Sequence, residues 1–436
     1  MSPDATTTSP SDWRYIAEGG SSIVFFYNGP PNPDFDATAL RLRKTANDVF
    51  PVIDESVEEE EPDDPTILFQ HQVIQRLMPA EYLPRLDAVR VGKEWLEELK
   101  KLNEEIRPLE RREKDGIDVR KRKAVLATDL VGGTNGFTVE IKPKWGFLPS
   151  PTHLSIATRP VKTNTCRFCM HSHLKSSEGE EVSLGYCPLD LYSGQEDRIK
   201  KALHALWDVW IGSSGSVNNL RVFVDGQIVS PSLLPSSLAP LAKKLPLPDP
   251  SSPPSLTGLR DAFTDAILPL LMDIPVLRVL STLQRNLDAL DVEGLSVLWS
   301  QAYASVNAQA VVDGGAGGSL PVPPLGTGLA EPTLEDWKAF LDIYLTKHAN
   351  MDHDHPDAAN IKYYCMAYLL STSFKDCSII LRLPRDGANT VTVIDLDVKP
   401  VDRMSKWENL DKKIVQSYRS LSEPTHCVDQ WASQTS

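Results

Sequence analysis

A chain of 436 residues, 41% hydrophobic and 24% charged, is long enough to bury a sizeable core and to divide into two lobes. Its formal charge of −14 counts against broad nucleic-acid binding, which leaves a basic footprint over a domain, but leaves room for a small basic pocket. Six cysteines in this length make no disulfide scaffold, and the grouping of Cys166, Cys169 and Cys187 reads as a metal site in an intracellular protein.

At the start, MSPDATTTSPSDW has no basic region leading into an apolar core, and no uninterrupted apolar run reaches the roughly 18 residues that cross a bilayer. The expectation is an intracellular protein, nuclear or cytoplasmic, with no membrane association. WRYIAEGGSSIVFFYNG predicts strand, glycine turn and strand, and ATALRLRK a third strand. The acidic run DESVEEEEPDDP reads as a solvated loop. Apolar spacing from Ile67 to Leu102 predicts helices, and RPLERR after it reads as a solvated basic patch. Strands return at KAVLATDL and FTVEIKPKWGFLP and close a mixed first lobe near residue 150. Residues 230–255 and 312–328 are rich in Pro, Ser and Gly and read as loops or inserts. Helices are predicted between them and again at TLEDWKAFLDIYLTKHA, which opens on a Thr-x-x-Asp capping signal.

The chemistry-bearing stretches begin with EIKPKWGFLP, residues 140–149. Lys142 and Lys144 stand two apart on a predicted strand stiffened by Pro143, so both ammonium groups share one face. DCSIILRLPRDGANTVTVIDLDVKP predicts a hairpin about Asp386-Gly387, with Ser378 opposite Asp395 and Asp376 opposite Asp397. Three carboxylates then gather at its open end. A loop carboxylate, a short hairpin and a second carboxylate are what protein kinases use, one aspartate receiving the acceptor's proton and the other holding Mg²⁺; the plain alternative is a solvated strand end. Gly19 and Gly20 in EGGSS cradle phosphate through bare N–H groups or make an ordinary turn.

In TCRFCMHSHLK a helix sets Cys166, Cys169 and His173 at i, i+3 and i+7, and Cys187 closes a Cys₃His zinc site. His171 is the competing fourth ligand, and three buried thiols packed as small apolar side chains are the plain alternative. NNLRVFVDGQIV is a second Asp-Gly hairpin with Asn218 and Asn219 at its mouth, and KPVDRM puts Lys399 and Arg403 at helical i, i+4 spacing just after the aspartates.

These motifs, in one order from EGGSSIV to LDKKIV, resemble the inositol-pentakisphosphate 2-kinase family. EIKPKWGFLP, RFCMHSHLK, PLDLYSG, NNLRVFVDG and KDCSII followed by IDLDVKP carry the resemblance. It implies an α+β protein with the two-lobed inositol phosphate kinase fold, distantly protein-kinase-like. Its mixed-sheet N-lobe would span residues 11–150, its larger α/β C-lobe 151–421, and a flexible tail 422–436. The implied cofactors are ATP with Mg²⁺ and a structural Zn²⁺; the implied partner is inositol pentakisphosphate, with no nucleic acid, and the chain is expected to be a monomer.

Residue by residue, the resemblance places Gly19 and Gly20 in the glycine loop, Arg41 at the nucleotide phosphates, Asp129 in a linker bordering adenine, and Glu140 and Lys142 on the nucleotide side. Arg111, Lys144, Lys175, Asn218, Lys399 and Arg403 fall on the inositol phosphate side. Asp376 would be the general base and Asp395 the Mg²⁺ ligand, with Asp397 a further metal contact. The implied reaction is in-line transfer of the ATP γ-phosphoryl group to the axial 2-hydroxyl of inositol 1,3,4,5,6-pentakisphosphate. Two other classes stand beside it. An inactive inositol phosphate binder need not keep both Asp376 and Asp395, and a zinc-finger nucleic-acid module would call for a basic domain.

Overall fold

The computed structural model describes residues 2–47, 61–132, 135–247, 254–312, 321–347 and 351–432. Most of the acidic run, parts of the two Pro/Ser/Gly-rich stretches and residues 433–436 lie outside the described residues. The chain forms two compact units, one of Met1–Thr138 with Phe223–Ile228 and Arg382–Thr392, the other of Val139–Val222 with Val229–Leu381 and Val393–Ser436.

In the first unit, strands β1 (Trp13–Glu18), β2 (Ser22–Tyr27), β3 (Thr38–Ala46), β4 (Leu86–Arg90), β5 (Asp115–Ile117) and β6 (Lys123–Thr128) make a six-stranded sheet of order β1-β2-β3-β6-β4, with β5 paired to β3. Neighbours are antiparallel, for example Phe25 opposite Leu40 and Leu40 opposite Leu126. Alternation decides which side is buried: Ile23 and Phe25 of β2 point inward while Ser22 and Val24 are half-buried. β6 lies between two strands and is buried along its middle, because both faces are covered. The helix Lys93–Asn103 contributes Trp95, Leu96 and Leu99 to the core with Trp13, Phe25 and Leu126, and Ile67 of the helix Pro65–Gln72 packs with Val125 and Ala127.

β4 corrects the sequence reading, which ran helices through residues 67 to 102. LDAVR follows Pro84 and buries only Leu86 and Val89, a pattern too short to separate strand from helix; pairing with β6 at the sheet edge decides it.

The second sheet has strands β7 (Phe137–Ile141), β8 (Leu220–Val224), β9 (Gln227–Ile228), β10 (Ser378–Leu383) and β11 (Thr390–Ile394), in the order β11-β10-β7-β8-β9. The β8–β9 turn is the two-residue kind that Asp-Gly predicts, with Asp225 and Gly226 both at positive φ (51° and 77°). Between β10 and β11 the Asp-Gly pair instead sits inside the longer loop 384–389. The helix Ile361–Lys375 is buried at every position from Tyr363 to Lys375. It lies against the helix Val276–Leu287, where Ser371 donates to the Gln284 carbonyl at 2.9 Å. The helix Leu334–Lys347 opens on the expected reciprocal cap, with Asp336 accepting from the Thr333 amide and Thr333 from that of Asp336. Among the described residues no single helix is long and apolar enough to cross a membrane.

The described part of the segment expected to be a flexible tail is anchored. Cys427 donates its amide to the Asn164 carbonyl at 2.8 Å, Asp429 accepts from Leu148 and Arg285, and the Trp431 indole donates to the Tyr192 carbonyl at 2.7 Å.

Candidate active site

In the second unit the site is built from two stretches distant in sequence: the chain leaving β7, and the residues flanking the β10–β11 hairpin. β7 ends at Ile141, so Lys142 and Lys144 lie beyond the strand and the shared-face argument of strand alternation does not apply. Other contacts direct them. The Lys142 amide donates to the Asn219 carbonyl at 3.0 Å, and its own carbonyl accepts from Asn219 Nδ2 at 3.2 Å. Pro143 is held by the Tyr186 hydroxyl at 2.9 Å. Lys144 then adopts a left-handed φ of 65°, costly for a residue with a Cβ, which turns its ammonium group to 2.8 Å from Asp376 Oδ1. Gly146 follows because an added Cβ would lie 2.9 Å from the Tyr192 ring.

Gln284, fully buried, holds this turn in register. Its Oε1 accepts from the Gly146 amide at 2.7 Å, and its Nε2 donates to the carbonyls of Lys144 at 3.2 Å and Phe374 at 2.9 Å. One amide thus binds the backbone that carries Lys144 to the backbone two residues before Asp376.

Asp376 caps the C-terminus of the helix Ile361–Lys375, where the helix dipole disfavours an anion. Burial also pushes its carboxyl upward; Lys144 at 2.8 Å, Lys399 at 3.4 Å and the field of Lys142 outweigh it and hold the group below its ordinary value. Beneath it, Lys375 is buried, donates to Asp288 Oδ2 at 2.5 Å and lies 4.9 Å from the Tyr368 ring centre.

Asp395 follows β11 at a left-handed φ of 63°, its side chain 49% exposed, with Oδ2 3.5 Å from Lys142 Nζ and 3.4 Å from Ser378 Oγ. That contact matches the hairpin pairing expected for Ser378 and Asp395. The Ser378 hydroxyl makes its shorter bond, 2.8 Å, to Glu140 Oε1, and Arg221 reaches Glu140 Oε2 at 3.4 Å. Glu140 is thereby a buried support for Lys142 and Ser378. Asp395 offers an exposed hard oxygen donor of the kind Mg²⁺ takes. The Asp397 carbonyl accepts from Ser373 Oγ at 2.8 Å, which fixes the chain just past Asp395.

Of the other sequence candidates, Lys399 approaches Asp376 from a stretch without regular structure, not from the helical turn its spacing with Arg403 suggested; Arg403 ends a short 3₁₀ turn and is exposed. Lys175 pairs with Glu180 at 2.6 Å on the helix Arg167–Ser177. His171 on the same helix is held neutral, pushed down to about 4 by burial and then by Arg167, Lys175 and Lys144, which places it among these cations. Asn218 is exposed; its buried neighbour Asn219 does the bracing.

In the first unit, Gly19 and Gly20 join β1 to β2, both exposed. An added Cβ at either would meet nothing within 4 Å, and neither has positive φ. Packing therefore does not demand glycine there. Below the turn, the Glu18 side chain is buried with Arg107 (2.7 Å) and Lys44 (3.0 Å), and Asp115 joins both cations. Arg107 is thus not part of a solvated patch, as the run RPLERR suggested, while Arg111 in the short helix Leu109–Arg112 is half-buried. Arg41 is half-buried on β3, and Asp129 is buried, accepting from the amides of Val131 and Gly132.

The metal candidates regroup. Cys166 caps the helix Arg167–Ser177, Cys169 lies one turn on, Cys187 precedes the helix Pro188–Leu191, and the fourth ligand atom near them belongs to Cys427, all four within 4.8 Å of one another. His173 turns instead to the Tyr418 ring, 5.6 Å away edge to face. The i+7 spacing that suggested His173 does put it on the same helix, but on a face packed against the helix Met404–Arg419.

An α+β protein that sets two carboxylates among lysines in this way has the equipment of a phosphotransferase. The family described as inositol-pentakisphosphate 2-kinase matches residues 15–413. An inositol-pentakisphosphate 2-kinase of Cryptococcus neoformans is 31% identical, covering 95% of both chains. Relatives of the same description from Oryza sativa and Arabidopsis thaliana are each 28% identical, over 94% and 96% of the chain and of the relative. The chain belongs to the inositol-pentakisphosphate 2-kinase family, a family of kinases.

Proposed function

We propose that this protein transfers the γ-phosphoryl group of ATP to the axial 2-hydroxyl of inositol 1,3,4,5,6-pentakisphosphate, giving inositol hexakisphosphate and ADP. The bond from the γ-phosphorus to the bridging oxygen of ADP breaks, a bond to the inositol oxygen forms, and the hydroxyl proton passes to Asp376. The observation that carries the reading is Asp376 kept ionised between Lys144 and Lys399, a proton acceptor flanked by cations suited to the phosphates of an acceptor ring.

On the nucleotide side we assign Gly19, Gly20, Arg41, Asp129, Glu140 and Lys142, and on the ring side Arg111, Lys144, Lys175, Asn218, Lys399 and Arg403. Asp395, with Asp397, would hold Mg²⁺, which supplies neutralisation of phosphoryl charge. Part of the same reading are a two-lobed, distantly protein-kinase-like fold, a monomeric intracellular protein off the membrane, and a structural zinc in the thiol cluster. The test is to incubate the purified chain with ATP, Mg²⁺ and a panel of inositol phosphates, and to locate the added phosphate by NMR. Phosphate on the 2-oxygen of the pentakisphosphate supports the reading. Binding without turnover, or phosphate at another position, overturns it.

A further inference from the structure

Lys375 and Asp376 are neighbours in the chain and face opposite ways. The Asp376 side chain is 55% exposed in the site, and that of Lys375 is 2% exposed behind it. The same division holds across from them. Lys144 meets Asp376 at 2.8 Å, and the next residue, Trp145, turns back so that its ring centre lies 5.9 Å from the Lys375 ammonium. Two pairs of adjacent residues thus touch twice, once in the site and once at its back.

At the back, three rings and one carboxylate surround the ammonium group. The ring centres of Tyr368, Phe147 and Trp145 lie 4.9, 5.3 and 5.9 Å away, and Asp288 Oδ2 accepts at 2.5 Å. Asp288 caps the helix Val276–Leu287 one turn after Gln284, so this helix end holds the Phe374 carbonyl through one side chain and Lys375 through the other. Charges continue from there. Asp291, at a left-handed φ of 59°, contacts Lys162; Lys162 lies 2.9 Å from Asp411; Asp411 contacts Arg167, which returns to within 5.4 Å of the Trp145 ring centre. Three carboxylates and three cations are balanced in this chain, each side chain 15% exposed or less, and Glu293 stands at its rim, 3.7 Å from Lys162.

Charges shielded to this degree are a poor source of stability, because apolar side chains of similar volume often serve as well or better. Burial drives the Lys375 ammonium down and the Asp288 carboxyl up to about 6, against their mutual attraction. A methionine at 375 would fill the same cage at lower cost. It would not fix the end of the helix Ile361–Lys375 at one point, since rings accept a thioether in many settings and a charged hydrogen bond has one.

We propose that Lys375, held by Asp288 and Trp145, is a positioning residue for phosphoryl transfer: anchored at the back, it sets the angle at which Asp376 and Lys144 meet at the front. The proposal rests on the reading of Asp376 as the base. Misplacing a reacting group by about 1 Å can cost about 10²-fold in rate, which is the scale on which such an anchor acts.

The experiment uses the full chain and two readouts: kinetics of phosphate transfer to the pentakisphosphate, and the side-chain ¹³C titration of Asp376 in the free protein, which senses Lys144 with no substrate present. Lys375→Met leaves Asp288 without its cation and should lower the melting temperature by about 5 °C or more, together with kcat. Adding Asp288→Leu removes one charge of each sign and leaves two carboxylates balanced by two cations, so stability should return close to the parental value. In that double variant kcat should still be about 10- to 10²-fold down, with KM for ATP and for the pentakisphosphate within about twofold of the parent. Its Asp376 midpoint should rise toward ~3.9 as the Lys144 contact loosens. Trp145→Leu keeps the Lys375–Asp288 pair and should move kcat and the midpoint in the same directions, and it carries the test should the variants at 375 fail to fold. Parental kcat with an unmoved Asp376 midpoint, in a folded double variant or in Trp145→Leu, overturns the positioning role. A parent that places no phosphate on the pentakisphosphate fails the kinase reading instead, and the midpoint then judges the anchor by itself.

Discussion

Lys144 Nζ stands 2.8 Å from one oxygen of Asp376 while Lys399 Nζ stands 3.4 Å from the other, so the carboxylate assigned as base is gripped from both sides in the free protein. Those lysines are also assigned to substrate phosphates. Under the proposed function, the phosphates of a bound ring would compete for the two ammonium groups, and the carboxylate released would become a better proton acceptor. Asp376→Asn keeps the shape and removes the proton acceptance. Its turnover should fall by about 10² to 10⁴ while calorimetric affinities for nucleotide and pentakisphosphate change little. A variant with parental turnover removes Asp376 from the reaction.

The grip also predicts a titration. Asp376 is held below its ordinary value chiefly by Lys144 against the upward push of burial, so side-chain ¹³C NMR of the free protein should give a midpoint below the ~3.9 of an unperturbed aspartate. In Lys144→Gln the midpoint should rise. Linkage follows the same sign: a depressed folded value contributes stability that is present above the unfolded value and lost as pH falls through the folded one. Lys144→Gln should therefore narrow the stability gap between neutral pH and about pH 3. Equal midpoints in parent and variant would dismiss the Lys144 contribution.

Gln284 touches no proposed ligand, yet its amide joins the carbonyls of Lys144 and Phe374. Gln284→Met preserves much of the volume and removes the bond to the Gly146 amide and one bond from each carbonyl, although the Lys144 carbonyl keeps the Tyr192 hydroxyl at 3.4 Å and the Phe374 carbonyl the Cys377 thiol at 3.1 Å. A buried group left unsatisfied costs about 1 to 3 kcal/mol, so urea unfolding should show a loss of about that size. At temperatures where the variant is still folded, kcat should fall more than KM for ATP rises. A loss of stability with parental kcat would make Gln284 a core residue and nothing more.

Gly19 and Gly20 are open on all sides and free of positive φ. Gly20→Ala should leave the melting temperature unchanged or slightly higher, since alanine reduces the freedom of the unfolded chain. If a nucleotide phosphate approaches this backbone, KM for ATP should rise by about tenfold. A parental KM would make the pair an ordinary turn.

Arg403→Ala, tested against ring isomers that each lack one phosphate, should weaken most ligands by about one to two decades and spare at least one, the isomer missing the phosphate Arg403 meets. A uniform loss would assign Arg403 to the general field.

How much of this was legible depended on the distance over which the signal acts. β1 to β3 and the β8–β9 turn follow from alternation and turn chemistry within a dozen residues. The contact of Ser378 with Asp395 was readable because a hairpin fixes its own register. Lys142 and Lys144 were found for a reason that fails, since the strand stops before them; tertiary contacts from Asn219, Tyr186 and Gln284 set their directions, and no local pattern encodes these. Cys427 was missed because it lies far along the chain from the other three thiols. The available signal was weak: three further cysteines, Cys365, Cys377 and Cys427, stood beside an incomplete set of three, and of these Cys427 has His426 next to it. Arg107 looked solvated because RPLERR is basic, and only the fold brings Glu18 and Asp115 to it.

The contacts that define the site join residues far apart in the chain: 232 positions between Lys144 and Asp376, 253 between Lys142 and Asp395, and 238 between Glu140 and Ser378. Closing such loops is slow and is rewarded only when the last partner docks. Catalytic competence should consequently be among the final properties recovered on refolding, appearing with the slowest phase and not with the early gain of helix. A chain ending before Asp376 carries every lysine of the 142–149 segment and neither aspartate, so no such truncated form of this protein holds a working fraction of the site.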